Sequence, residues 1–227
     1  MRTTRLIAGT VTAGLLGLTP IAIAAPSQAA DNWTTTIVAT PSTTELEYGS
    51  DLSISVDLSS SDGFAPGSTD GTVTLFAQEA GSSAWAPVAT AENTYASFYD
   101  VKPRMNTAYK VVYSGFTDPD QGTYGDNYAA SESAPFTVGV ARKLTAPKSG
   151  FVIKGKLTPD GGKKKIVISV SKKQGKGYKK FKTIKTNKKG KYKVTLPKRK
   201  GTWYWNFVVK GDSKYLGTGF GWRTWVS

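Results

Sequence analysis

Lysine recurs at every second position in two short stretches of this chain. Lys154 and Lys156 flank Gly155, and Lys191 and Lys193 flank Tyr192. In an extended strand, residues two apart share a face, so each stretch sets two ammonium groups side by side. Lys179, Lys182, Lys188 and Lys189 lie between them in sequence. Such an array attracts polymers carrying phosphate, sulfate or carboxylate, as point charges rather than as a shaped bidentate site. These eight lysines are the candidate polyanion-binding residues. The expected partner is an anionic extracellular polymer or cell-wall component: teichoic acid, acidic polysaccharide, nucleic acid or an anionic lipid surface.

Other chemistry is sparse. The 227 residues include no histidine and no cysteine, which removes the commonest general base, thiol nucleophiles and zinc–thiolate sites. Glu45 and Glu47 share a face of an extended segment, but paired-carboxylate hydrolysis also needs a cleft between the acids. Ser–Lys chemistry needs a buried lysine, and these lysines alternate with apolar residues in a way that exposes them. The expectation is a protein that is not an enzyme, with no catalytic residues, no cofactor and no metal. One loop, Asp118-Pro119-Asp120-Gln121-Gly122 followed by Asp126, carries closely spaced acids. It lacks a third ligand before Gly122 for a complete calcium loop. Asp118, Asp120 and Asp126 can be a partial calcium site or turn formers around Pro119.

Aromatic residues concentrate near the C-terminus. Trp203, Trp205 and Trp222 fall in phase with apolar neighbours and are expected inside. Tyr204 and Trp225 fall in the opposite phase, as possible stacking residues for a sugar ring or a base.

Charge divides the chain. Its formal net charge of +14 conceals 14 acids against 3 bases over residues 31–140, and 25 bases against 2 acids, Asp160 and Asp212, over residues 141–227. Two halves of opposite sign indicate two domains with different surfaces. They also allow a structural alternative, in which acidic and basic domains associate with each other, and head-to-tail contacts build filaments.

Arg2 and Arg5, the apolar run from Leu6 to about Ala25 and the small residues Ser27 and Ala29 read as a signal peptide over residues 1–29, cleaved after Ala29. No later segment is apolar enough to span a bilayer, and no sorting motif follows Trp225-Val226-Ser227. The expected location is secreted, extracellular or loosely associated with the cell surface.

The elements that must hold these residues are strands. Leu52, Ile54, Val56 and Leu58 alternate with polar residues, as do Val73, Leu75 and Ala77, and Tyr109, Val111 and Tyr113. In the basic half, Ile153 and Leu157, Ile166 and Ile168, Tyr192 and Val194, and Trp205 and Phe207 do the same. Pro159-Asp160-Gly161-Gly162 and Asn187-Lys188-Lys189-Gly190 read as turns between paired strands. No segment has a helical period. The prediction is all-β: two tandem immunoglobulin-like β-sandwiches, an acidic one over 31–140 and a lysine-rich one over 141–227, each held by its apolar core without disulfides.

The halves share an ending. Aligning Gly115 with Gly211 places Tyr113 on Val209, Val111 on Phe207 and Tyr109 on Trp205, with Tyr128 and Tyr215 following. With Ala39-Thr40-Pro41 before Tyr48-Gly49, the strand Gly71-Thr72-Val73-Thr74-Leu75, the strand starts Gly155-Lys156-Leu157 and Gly190-Lys191-Tyr192, and Val209 to Tyr215, the chain resembles the bacterial immunoglobulin-like domains repeated in secreted and surface proteins of actinobacteria. That resemblance implies a sandwich used for spacing, adhesion or ligand binding, and no shared catalytic site.

Overall fold

Alternation of apolar and polar side chains leaves each segment one face to bury, and pairing strands into two facing sheets buries both. A computed structural model describes residues 30–119 and 125–227; the expected leader lies outside the described residues, as does Asp120. The first half holds β1 (Asp31–Trp33), β2 (Thr35–Pro41), β3 (Glu45–Glu47), β4 (Leu52–Ser60), β5 (Val73–Glu79), β6 (Ala86–Ala91), β7 (Ser97–Val101), β8 (Thr107–Tyr113), β9 (Asp126–Tyr128), β10 (Ser131–Glu132) and β11 (Phe136–Ala141). The second holds β12 (Lys143–Leu144), β13 (Val152–Thr158), β14 (Lys165–Ser171), β15 (Lys179–Lys185), β16 (Lys191–Thr195), β17 (Gly201–Val209) and β18 (Thr218–Val226). The described residues contain no helix, so none is long and apolar enough to cross a membrane.

The chain is all-β, with two sandwiches in tandem. In the first, sheet β2–β4–β7 faces sheet β3–β11–β8–β5–β6, with β10 beside β8. Ile37, Ile54 and Leu58 from one sheet meet Leu75, Val111 and Val138 from the other. In the second, sheet β12–β13–β16 faces sheet β15–β14–β17–β18. Ile153, Leu157 and Val194 meet Ile168, Trp205 and Phe207. Trp205 is completely buried, and its indole N–H donates to Thr224 Oγ1 at 2.9 Å, so no polar atom of the ring is stranded.

Two turns do not do what their residues predict. Pro159–Gly162 leads from β13 to β14, and Asn187–Gly190 from β15 to β16, and in each case the two strands belong to opposite sheets. The turn residues close the local bend, since the Gly190 N–H donates to the Asn187 carbonyl at 3.0 Å. Strand pairing is decided by the faces to be buried. Both bends carry the chain across the sandwich, and neither forms a hairpin.

The shared ending is built the same way twice. The Phe116 N–H donates to the Tyr128 carbonyl, and the Asp212 N–H to the Tyr215 carbonyl, each at 2.9 Å. A Cβ on Gly115 would sit 2.9 Å from the Tyr128 oxygen, and one on Gly211 2.8 Å from the Tyr215 oxygen. Both glycines are therefore required by close backbone approach.

The second copy of this loop has an added task. Tyr215 packs with the core of the first sandwich rather than its own. The Leu216 N–H donates to the Val140 carbonyl, and the Asn106 N–H to the Lys214 carbonyl, each at 2.9 Å. Arg142, the single residue between β11 and β12, is 2% exposed. Its guanidinium lies 4.1 Å from the Tyr215 ring centroid, donates to the Pro159 carbonyl at 3.1 Å and pairs with Asp212 Oδ2 at 2.7 Å. Lys164 reaches the same oxygen at 2.9 Å, and the Tyr215 hydroxyl bonds Asp160 Oδ2 at 3.2 Å. Both acids of the basic half are thus committed to this joint.

Burial alone would raise the Asp212 pKa, but hydrogen bonds from Lys164 and Arg142 and the Arg142 charge hold it well below the ordinary carboxylate range. A depressed carboxylate stabilises the fold above its unfolded pKa, and that contribution is lost as pH falls through the folded value. Asp212→Ala leaves a buried cation without its anion and should cost about 3 kcal/mol. Arg142→Met needs no counter-ion and should cost less. Thermal unfolding of the three proteins should also show the wild type losing stability below roughly pH 4, with a flatter acid limb in Asp212→Ala.

Candidate functional site

The register of β13 on β16 decides what the lysines form. Lys154 lies directly opposite Lys193, and Lys156 opposite Lys191. All four are exposed, while Ile153, Leu157, Tyr192 and Val194 between them are buried. The outer face of this sheet is therefore a block of two like-charged cross-strand pairs. Cβ atoms in directly opposed pairs are ~5 Å apart, and opposed like charges destabilise a sheet.

The turn at 187–190 extends the block. The Leu157 N–H donates to the Gly190 carbonyl at 2.9 Å, which fixes the exposed Lys188 and Lys189 beyond the Lys156–Lys191 pair. Asn187 Oδ1 accepts the N–H groups of Lys189 and Lys191, both at 2.9 Å. This side chain shapes the turn and sets its lysines.

Lys179 and Lys182 are elsewhere. Both stand on β15, the edge strand of the opposite sheet. A register shift between Ile168 and Ser169 leaves Phe181 as an extra residue between Lys180 and Lys182. Phe181 packs edge-on against Trp205 at 5.1 Å. Lysines along β15 fit the blocking of edge-to-edge pairing, which cannot account for Lys154 and Lys156 on the central strand β13. The eight candidates thus separate into a face of four, a tip of two at its end, and an edge pair on the other sheet.

No ion pair among the described residues neutralises the face. Among the described residues, the ion-paired bases of the second half are Arg142 and Lys164, both on Asp212, and Lys143, 3.2 Å from Glu47. All belong to the joint or border it. The acidic and basic halves meet within the chain through the loop 212–217, with the Lys143–Glu47 pair bordering that contact.

The aromatic residues divide between the two sides of sheet β15–β14–β17–β18. Trp205 faces inward beside Trp222, whose indole N–H donates to the Gly150 carbonyl at 3.1 Å. Trp203 is part-buried, and Lys172 and Arg199 lie over its ring, at 4.7 and 4.6 Å from the centroid. The outer face carries Tyr204, half-buried and opposite Arg223, and Trp225, 65% exposed and opposite Thr202. An open cleft of ≈380 Å³ is lined by Gln174, Tyr178, Tyr204, Gly221 and Arg223, with Trp205 and Trp222 also reaching its wall. Sequence periodicity missed Tyr178 and Arg223, because Tyr178 precedes its strand and Arg223 is one base among many.

Asp126 accepts the Trp33 indole N–H at 2.9 Å on Oδ1, and the Asp118 N–H donates to Asn127 Oδ1 at 3.0 Å. Among the described residues no group of three acidic side chains converges on a metal position. Glu45 and Glu47 lie on β3, which runs parallel to β11, and Glu47 is paired with Lys143.

No protein family matches the chain, and a comparison with curated proteins finds no significant similarity. Solved structures that align with it include the FN1–FN3 domains of chicken CNTN1, at 11% identity and TM-score 0.31, covering 84% of this chain and 65% of that one. The ligand-binding domain of human OSCAR aligns at 15% identity and TM-score 0.28, covering 82% and 95%. The NIE–MG1 region of native alpha-2-macroglobulin from Escherichia coli aligns at 10% identity and TM-score 0.27, covering 81% and 96%. The fold is read from the strand pairing itself: a three-stranded sheet facing a larger one in each half. Such a sandwich is compatible with a binding or adhesion module.

The opposed lysines carry their own stability test. Lys193→Glu converts one repulsive pair into an attractive one and should raise stability by about 0.5 kcal/mol, read as an upward shift in the thermal midpoint at low salt. Added salt should narrow the difference from wild type.

Proposed function

We propose that the protein is an exported, non-catalytic binding module that captures anionic polymers on the outer face of sheet β12–β13–β16. The observation that carries this reading is the Lys154–Lys193 and Lys156–Lys191 register. Two repulsive pairs sit on one face, with Lys188 and Lys189 at its end and no acid of the second half outside the joint. A polymer of phosphates, sulfates or carboxylates laid across β13 and β16 relieves that repulsion and releases its condensed counterions.

The geometry favours a repeating anion over a single one. Successive lysines along a strand face are roughly 7 Å apart, and lysine offers a mobile point charge in place of a rigid fork. Capture is therefore tolerant of polymer sequence and steeply salt-dependent. Teichoic acid, acidic polysaccharide and extracellular nucleic acid all meet this requirement, and the leader expected over residues 1–29 supports an encounter outside the cell. The second sandwich supplies the surface, while the first, fixed to it by the joint at Arg142, acts as a spacer of opposite charge. That acidic body repels the polymer and directs it to the basic end.

Elution from immobilised heparin and polyphosphate tests the reading. The wild type should elute at high salt. The Lys154→Glu, Lys156→Glu, Lys191→Glu, Lys193→Glu quadruple variant should elute much earlier. Its log K against log[salt] should be flatter by about 3 to 4, roughly 0.7–0.9 per lost contact. Lys179→Glu with Lys182→Glu should change elution far less. Equal effects of the two sets would return binding to diffuse net charge and remove the face from the account.

A further inference from the structure

Away from the edge strand β15, the larger sheet of the lysine-dense half has an outer face almost without lysine. Beyond Lys165 at its start, the outward positions of β14 are Val167, Ser169 and Ser171, the last buried where its hydroxyl donates to the Lys176 carbonyl; those of β17 are Thr202, Tyr204, Asn206 and Val208; those of β18 are Gly219, Gly221, Arg223 and Trp225. Cross-strand register assembles them into rows: Ser169–Asn206–Gly221, with Lys180 of β15 at the Ser169 end, then Ser171–Tyr204–Arg223, then Thr202–Trp225. Arg223 is the one cation that β17 and β18 place in those rows, and Lys180 stands at their β15 edge, in a segment holding 25 basic residues. A surface governed only by diffuse positive charge would not keep this composition apart.

The rows border the cleft of ≈380 Å³ lined by Gln174, Tyr178, Tyr204, Gly221 and Arg223. Two phenol rings offer apolar faces with hydroxyl edges. Gln174 and Asn206 each offer an amide donor and acceptor, and Arg223 a planar fork of donors. Gly221 opens the floor: a Cβ there would meet nothing within 4 Å. Trp225 stands two residues beyond Arg223 along β18 on the same face, roughly 7 Å from it, and is 65% exposed. Flat aromatic surface interleaved with amide and hydroxyl groups matches a ring that is apolar on its faces and hydroxylated at its edge. A pyranose sugar has that character. A nucleic acid also stacks on aromatics, but its phosphates need closely spaced cations, and these rows supply Arg223 beside the cleft and Lys180 only at the far edge, beyond Ser169.

We infer that the outer face of β14, β17 and β18 is a second, independent binding site, taking a segment of neutral polysaccharide with one sugar in the cleft at Tyr178, Tyr204 and Arg223 and another over Trp225. The site stands on the opposite sheet from the lysine block, and does not rest on the polyanion reading. Contacts of this kind are insensitive to ionic strength, whereas lysine capture is lost in high salt. The two modes therefore separate in one experiment.

The full protein is incubated with amorphous cellulose, chitin and insoluble xylan in 1 M NaCl, and the bound fraction is measured. Retention on at least one of the three is expected. Trp225→Ala and Gly221→Gln should each weaken it by about tenfold or more, and both sites are open enough for the variants to fold, as thermal unfolding will verify. The quadruple lysine variant should be retained like the wild type. The tryptophan emission should shift on titration with soluble oligosaccharides of the retained polymer, and lose that shift in Trp225→Ala. Absence of retention on all three polymers, or retention untouched by both substitutions, overturns the inference. So does retention in 1 M NaCl on single-stranded DNA, in place of polysaccharide, that depends on Trp225.

Discussion

Repulsion among the basic side chains of the second sandwich is the constraint that its construction answers. The fold outweighs that repulsion with a closed apolar core, in which Ile153, Ile168, Trp205 and Phe207 are shielded from water. Because there is no cysteine, no covalent tie assists. Apolar burial contributes roughly 25 cal/mol per Å², whereas an exposed like-charge pair costs well under 1 kcal/mol in water. The core can therefore hold Lys154 against Lys193 and Lys156 against Lys191 indefinitely, and the strain is kept as surface potential.

The joint fixes how two halves of opposite charge meet. A flexible linker would let the acidic half fold back on the basic face. Here Arg142 is clamped between Tyr215, Asp212 and the Pro159 carbonyl, and the loop at 212–217 bonds to Asn106 and Val140. The tyrosine that closes the same loop in the first half, Tyr128, serves its own sandwich. Its counterpart Tyr215 has become the contact between the two. The acids that the basic half retains, Asp160 and Asp212, are used there, which leaves the remaining surface without internal neutralisation.

Much of this was legible in the sequence, because a period of two is a direct statement about faces. The alternation at Ile153 to Leu157 and at Lys191 to Val194 separates lysine from core before any pairing is known. The alignment of Tyr109 with Trp205 identifies buried positions in both halves. Pairing partners were not legible. Turn residues at Asn187–Gly190 report a bend, but whether the next strand joins the same sheet depends on which apolar face remains to be covered. For that reason Lys182 reads as a companion of Lys154 and in fact stands on the opposite sheet. The joint was hidden for a different reason: a lone arginine in a crossover looks solvated. The available signal was that Asp212 is one of two acids in a basic segment, so that its retention required a local partner.

The proposed capture is localised by register and is not a property of net charge. Amide chemical shifts of the isotope-labelled protein, followed during titration with a short polyphosphate at moderate salt, test it most directly. The account predicts that the largest shifts fall on β13, β16 and the turn at 187–190, with β15 and β18 little affected. Shifts of equal size over all exposed lysines, or concentrated on Lys179 to Lys185, would contradict it.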